Sequence, residues 1–487
     1  MGAVNDLSSC ISNNSEALRS GSLLFALQLG AAWAPAQTTF VRHFGGDGSD
    51  IGFCVERTAD GGYILSGGSE TDGTASMDMY LVRTDAAGNE QWSRTFGTSM
   101  IEFAYSVVGT ADGGFVVCGG WAGFGADTLA LVKVDATGAD QWSRRYPINV
   151  DRSIGYSVTE AENGDLLCSG FAGPYGAQDA AFIRVGPDGE PVWTTLVDLG
   201  ANNAGTAIRS TADGGAVALV TSFESYGVDG DIGLVRLNSS GDTLWTRSFA
   251  TPALEDAHGM TVAGNGDVLI AGFYGAVPAD AFLMRTDANG GMLWSHTYGS
   301  LDGHDEALDV EALDNGDILV TGRTQPGADD PTGMLLMRCD AEGGVQWQHA
   351  YVEGIMAASQ SVCVAEDGGF AMLGYTALEA DSTFDLLLVK TNGSGFTAIA
   401  DGMGTNDRRF DLFPVPADVS ARLAITGSWP GPFVADLLDA WGRRAMRLTS
   451  FTGTLDIPCS TLPTGSYILL VSDAQGRIGR TKLQVAH

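Results

Sequence analysis

Basic side chains are scarce in this 487-residue chain: 26 lysines and arginines stand against 59 aspartates and glutamates, a formal charge of −33. A phosphate backbone needs a basic footprint on its partner, so the shortage argues against nucleic-acid binding and leaves a solvated acidic surface. Cysteine is also sparse. Cys54, Cys118, Cys168, Cys339 and Cys363 are widely separated, and none belongs to a CxxC pair. That spacing gives neither a disulfide framework nor a zinc site, and the thiols read as free and buried. Long apolar runs are missing too. The most sustained, SLLFALQLGAAWAPA over 22–36, is too short to span a bilayer but fits a signal-peptide core with a cleavage site at Ala34-Pro35-Ala36. No other segment is a transmembrane candidate. Before this run stand only Arg19 and two acids, Asp6 and Glu16, a poor n-region, so the true start is expected downstream of Met1. Residues 1–36 are therefore read as a leader for export into the periplasm.

A long helical periodicity is the last absence. With 67 glycines and 44% hydrophobic residues, the composition is that of a turn-rich all-β chain. What is present is repetition. Trp92, Trp142, Trp193, Trp245, Trp294 and Trp347 recur at intervals of 50, 51, 52, 49 and 53 residues, preceded by turns such as DAAG (85–88), DATG (135–138) and DANG (287–290). A second marker keeps the same beat in seven copies, from ADGGY at 59 and ADGGF at 111 to EDGGF at 366. A period near 50 residues points to propeller blades.

Each repeat reads as four strands. SVVGTADGGFVVCGG (106–120) alternates apolar residues about Asp112-Gly113, which predicts a two-residue hairpin turn. LALVKVDATGADQWSRRY (129–146) is a second pair, with Asp135 capping its turn and Gly138 in the left-handed position. The tryptophans are expected to pack one sheet against the next. TTFVRHFGG (38–46) carries Phe40 and Phe44 in the phase of a fourth strand, and the seventh repeat, ending at DLLLVKTNGSG (385–395), lacks one. The first strand is therefore expected to close a seven-bladed β-propeller over residues 37–399, by pairing residues 38–44 with 385–391.

Arg83, Lys133, Arg184, Arg236, Arg285, Arg338 and Lys390 end the third strand of every repeat, and Asp78, Asp179, Asp231, Asp280 and Asp385 stand five residues before five of them. Both sets read as structural pairs between strands or blades. Function is expected where repeats differ, on the rim formed by the loops after strands two and four. Trp121, Phe171, Tyr175, Phe223, Tyr226, Phe273, Tyr274, Arg323 and Tyr375 lie there as a candidate ligand rim, with a capping role as the alternative. The acidic loops GGDGSD (45–50) and GSLDGHDE (299–306) carry oxygen ligands without a complete calcium-loop spacing, and His304 beside Asp305 is the one His–acid pair. No catalytic, cofactor or metal residue is assigned. Quinoprotein dehydrogenases share a repeated turn before tryptophan but carry a vicinal cysteine pair, and sialidases space their turn as S-x-D-x-G-x-T-W; neither pattern is met.

After the linker at 400–409 the beat stops. RFDLFPVPA opens a β-rich unit in which Pro414 and Pro416 stand in FPVPA, Asp439, Gly442 and Arg443 in LLDAWGRR, and Leu462, Pro463, Gly465 and Tyr467 in LPTGSYILLV, with Lys482 in the final strand. Residues 410–487 resemble the type A C-terminal sorting domain of the type IX (Por) secretion system of Bacteroidetes, with Val415 where that family has asparagine. The resemblance implies a small β-sandwich, recognition by the type IX machinery, export through the outer membrane, removal of the domain and attachment at the cell surface. The whole therefore reads as a secreted or surface-displayed binding or adhesion module for an extracellular polysaccharide or protein. An extracellular polysaccharide-active enzyme on a propeller scaffold is the alternative.

Overall fold

The computed structural model describes residues 37–397 and 410–485, apart from segments 71–75, 99, 122–126, 149–151, 201, 226–227, 250–254, 276–277, 300–302, 329, 379–382, 414–418, 426–431, 439–443, 453 and 474–477. The expected leader (1–36), the linker (400–409), Pro414, Pro416, Asp439, Gly442 and Arg443 lie outside the described residues. No helix among the described residues is long and apolar enough to cross a membrane.

Seven four-stranded antiparallel sheets succeed one another along the chain. In blade 1 they are Asp50–Arg57, Tyr63–Ser69, Asp78–Thr84 and Glu90–Phe96, from the innermost strand to the outermost. Burial follows that order. The second strand, YILSGGS, is buried at every position because both its faces meet neighbouring blades, whereas the outer strand EQWSRTF exposes most of its residues. Blade 7 is completed by Phe40–Phe44, which pairs with Asp385–Thr391 in the register Phe40↔Lys390 to Phe44↔Leu386. The seven-bladed, all-β propeller and its closure by the N-terminal strand are as the sequence requires. Gln37 and Thr38 extend the clasp. Thr38 donates its backbone N–H to Asp367 Oδ2 at 3.0 Å, and Gln37 Nε2 donates to Asp367 O at 2.9 Å.

The repeated phrase before each tryptophan has a double use. Asp135 Oδ1 accepts the backbone N–H groups of Thr137 and Ala139 at 2.8 and 3.0 Å, and Gly138 takes φ +77°, as expected of the turn. The same glycine lies flat under the tryptophan of the preceding blade: a Cβ on Gly138 would stand 2.9 Å from the Trp92 ring. Trp92 Nε1 donates to Ala136 O in that turn, and Trp142 and Trp193 repeat the bond to Pro187 O and Ser239 O. At the closure Phe40 replaces tryptophan against Gly88. The tryptophans thus join blade to blade, but on the outer strand and only half-buried.

One local expectation is corrected. The hairpin at Asp112-Gly113 has Gly113 N–H on Thr110 O and Thr110 N–H on Gly114 O, so its loop has three residues and ends on a left-handed glycine instead of being a two-residue turn. The basic residues of the third strands are structural, as expected, and pair outside their own strand. Each reaches the carboxylate in its own blade's first hairpin turn: Arg83 to Asp60, Lys133 to Asp112 (2.5 Å), Arg184 to Asp165 (2.7 Å), Arg236 to Asp213 (2.6 Å), Arg285 to Asp267 (2.7 Å), Arg338 to Asp317 (2.7 Å) and Lys390 to Asp367 (2.8 Å). Residues five apart in a strand face opposite sides, so the aspartate of the same strand is out of reach and the turn carboxylate is the partner.

Residues 410–485 form two small sheets, one built from Phe410–Phe413, Ser420–Ile425 and Thr454–Pro458, the other from Phe433–Leu438, Arg444–Phe451, Gly465–Asp473 and Ile478–Val485. Their shared core holds Leu423, Phe433, Leu437, Ile457, Leu462, Tyr467, Leu469, Val471, Leu483 and Val485. In LPTGSYILLV the buried residues Tyr467, Leu469 and Val471 alternate, and Tyr467 Oη donates to Pro463 O at 2.8 Å.

Candidate functional site

The inner strands carry a feature that the repeat markers do not announce. Asp50–Arg57, Glu102–Gly109, Ser153–Glu160, Asn202–Ser210, Glu255–Val262, His304–Ala312 and Met356–Val364 each break register once, at Phe53, Tyr105, Tyr156, Thr206, His258, Leu308 and Gln360. A bulge leaves one residue unpaired and re-aims its side chain. Here seven bulges at one register position aim seven side chains at the propeller axis.

The residue after each bulge is small or acidic, and in four blades it accepts a backbone N–H of the neighbouring blade. Ser106 Oγ accepts the Val158 N–H at 3.2 Å, Ser157 Oγ that of Ile208 at 3.4 Å, Ser361 Oγ that of Val55 at 3.3 Å, and Asp309 Oδ2 that of Val362 at 3.0 Å. Blade 5 has Gly259 at this place, and the Val310 N–H goes instead to Asp309 Oδ1.

On the turn side of the bulge ring lies an axial cavity of about 440 Å³, within the size range of small-molecule sites. Its aromatic side comes from consecutive blades: Phe53 and Tyr105 have ring centroids 5.1 Å apart, and Tyr105 and Tyr156 5.2 Å. Its ionic lining is Glu56, Arg209, Asp309 and Glu311, with Arg57 at the exposed edge. Burial raises the Asp309 and Glu56 carboxyls above their ordinary values against the lowering pull of backbone N–H groups and Arg209. Glu311 is pushed up to about 7, by burial first and then by the Asp309 carboxylate, with Arg209 opposing and Glu56 adding.

At the opposite end of the axis, where the loops after strands two and four emerge, the rim residues do not form a single ring. Phe171, Phe273, Arg323 and Tyr375 share one position, paired across to Ile154, Asp256, Glu306 and Ala358 of their own inner strands. Trp121 and Tyr274 sit one residue further, opposite Glu102 and Glu255, and Phe223 two further, opposite Asn202. Phe171 is 2% exposed with the Arg152 guanidinium 5.8 Å from its centroid, and Arg145 covers Trp121 at 4.1 Å. Tyr175 is 74% exposed, and the Tyr226 side chain lies outside the described residues.

The rim does gather a charged cluster on blades 5 and 6. His304 Nδ1 accepts the Ala279 N–H at 2.9 Å, which leaves the proton on Nε2 to be donated to Glu306 Oε1, also at 2.9 Å. Arg323 Nη2 reaches the same oxygen at 2.5 Å. The histidine therefore pairs with Glu306 two residues on, across one face of the strand, and not with the adjacent Asp305. A second pair went unnoticed in the sequence, His258 with Asp256 at 3.6 Å. Burial lowers the His258 pKa, but the charges of Asp256 and Glu306 outweigh it and the net shift is upward. The acidic loop at 45–50 spends its carboxylate locally, Asp50 Oδ2 accepting the Gly46 N–H at 2.9 Å. Among the described residues no three His, Cys, Asp or Glu side chains converge as a metal site would require.

No protein-family model matches the chain, and no curated protein matches it. Solved structures resemble it at low identity. One is PorZ, a surface component of the type IX secretion system of Porphyromonas gingivalis, at 15% identity and TM-score 0.41 over 87% of this chain and 58% of that one. Another is a fungal alcohol oxidase of the AA5 family in complex with copper, at 12% and 0.46 over 93% and 100%. A third is a PL25 ulvan lyase, at 10% and 0.44 over 72% and 96%. The chain thus spans about 58% of the length of the PorZ chain.

Proposed function

We propose that this chain is a secreted or surface-displayed propeller that binds an extracellular ligand at its axis, exported through a type IX C-terminal sorting signal. The observation that carries the binding role is the contrast between positions. Turn carboxylates, strand-end cations and turn glycines repeat from blade to blade, whereas the seven bulge residues are Phe, Tyr, Tyr, Thr, His, Leu and Gln. Repeated positions build the ring, and a non-repeating one facing a cavity is where a ligand can be read. The export role rests on the sorting-domain motifs around Pro414, Gly442, Leu462, Gly465 and Tyr467.

Expression of the full chain and of a chain ending at residue 409, in a host with the type IX apparatus, tests export. The truncated propeller should fold, because its ring closes without the last segment, and should be missing from the surface and medium. Normal surface appearance of the truncated chain would reject the sorting role. Screening the full chain against extracellular glycans and proteins, beside a His258→Ala variant, tests the axial site. The polysaccharide-active enzyme stands as a second reading because His258 and Asp256 form an acid–base pair at the loop end of the axis; degradation of a bound polysaccharide in the same screen, lost in the variant, would establish it.

A further inference from the structure

The cavity on the turn side of the bulge ring combines two kinds of wall. Phe53, Tyr105 and Tyr156 present three touching aromatic rings from blades 1 to 3, whose π faces carry partial negative charge. Glu56, Asp309 and Glu311, from blades 1 and 6, bring three carboxylates against the guanidinium of Arg209 within the cavity, with Arg57 at its exposed edge and His258 in the bulge ring. Arg209 also gives one of its N–H groups to Ile208 O at 3.0 Å. Aromatic faces and surplus carboxylates both favour a cation, and the two kinds of group meet in a volume of about 440 Å³.

We infer that the axial cavity binds a small ligand through a primary ammonium group admitted from the turn face, with Phe53, Tyr105 and Tyr156 facing the cation and Glu311 accepting its N–H, while Glu56 and Asp309, held by backbone amides, add negative charge nearby. An amino sugar and an aliphatic polyamine present this chemistry equally, with hydrogen-bonding capacity in the lining from Thr159 and Gln360 for the rest of the molecule. The scaffold holds such a lining in place, since the bulges keep the aromatic side chains toward the axis and the Ser–amide and Asp–amide bonds after them fix adjacent blades. Burial is the first cause of the raised Glu311 and Asp309 carboxyls, and for Glu311 the Asp309 carboxylate is the second, with Arg209 opposing both shifts. Binding strengthens as pH rises through 7, where Glu311 ionises beside Asp309, Glu56 and Arg209.

This inference rests on the binding-module reading but is tested apart from it. Isothermal titration of the full chain at pH 7.5 would use a glucosamine oligomer and spermidine, each beside its N-acetylated form. Saturable binding of at least one amine, weakened at least tenfold by acetylation, by Glu311→Gln and by Tyr105→Ala, is the expected result, and the amine that binds identifies the source. Melting curves establish that both variants are folded, and Glu56→Gln replaces either that is not. Equal affinity for the acetylated forms, unchanged affinity in the folded variants, or no saturable binding of either amine overturns the inference. A neutral glycan or a protein captured with cavity variants intact overturns it too, while leaving the binding module standing.

Discussion

Lys390 shows what one carboxylate does in this ring. Its side chain is 1% exposed, and Asp367, 19% exposed, accepts its ammonium at 2.8 Å while also taking the Thr38 N–H. Asp60, which serves Arg83 in blade 1, is 60% exposed, so water can replace it. Asp367→Ala should therefore cost about 3 kcal/mol and Asp60→Ala less, about 1 to 2 kcal/mol, since Arg83 is also buried but meets water where Asp60 stood and keeps its bond to Tyr63 O. Denaturant titration of the two variants checks the order. Glu311 acts in the opposite sense. Its folded pKa is raised to about 7 from 4.5, so the folded state holds its proton more tightly than the unfolded chain and stability falls as pH rises from 5 to 8. Glu311→Gln should flatten that decline by something on the order of 2 kcal/mol, seen as a smaller loss of Tm between pH 5 and pH 8.

The strand is the scale at which the sequence was most and least legible. Turn markers and tryptophans gave the blade count because each needs particular chemistry: a capping carboxylate, a left-handed glycine, a flat ring for that glycine to cover. That double demand makes Gly138→Ala costly, by at least about 1 kcal/mol, from the positive φ and the 2.9 Å approach to Trp92 together. Trp142→Ala should cost about 2 to 3 kcal/mol, below the usual range for a fully buried tryptophan because its outer-strand position leaves it half-buried. Thermal or urea unfolding of both measures this. The inner strand was illegible for a definite reason. Strict alternation in DIGFCVER puts Phe53 and Val55 on one face, and the bulge at Phe53 separates them, so that Val55 is 2% exposed while the phenyl ring lines the cavity. Nothing in a single repeat signals the extra residue. Only superposing all seven strands, with Phe53, Tyr105, Tyr156, Thr206, His258, Leu308 and Gln360 in one column, would have shown a position where chemistry varies while its neighbours stay small. The rim aromatics that end the second strands fall at three register positions, a division that depends on pairing with the inner strand and so is not written in the second strand itself.

At the scale of the molecule the ring is finished by its own beginning. Phe40 and Phe44 are 6% and 8% exposed in the seam of blade 7, and burying each contributes about 1.5 to 3 kcal/mol. Deleting residues 37–44 should lower Tm markedly and expose the unpaired edge of Asp385–Thr391 to self-association, read by melting and size-exclusion chromatography. The partners are about 345 residues apart in sequence, so the last sheet cannot form until nearly the whole propeller has emerged.

That seam also decides how the molecule meets tension. The chain leaves the ring toward its C-terminal unit directly after Asp385–Thr391, a strand flanked on one side by Phe370–Ala377 and on the other by Phe40–Phe44. If the ring holds a ligand while its C-terminal end is held elsewhere, the pull enters through a strand with partners along both edges. Detaching it means breaking two ladders at once, where an outermost strand would peel from one. Closing the ring with the first strand therefore does mechanical as well as thermodynamic service: it turns the exit of the chain from the weakest seam of the propeller into a doubly held one.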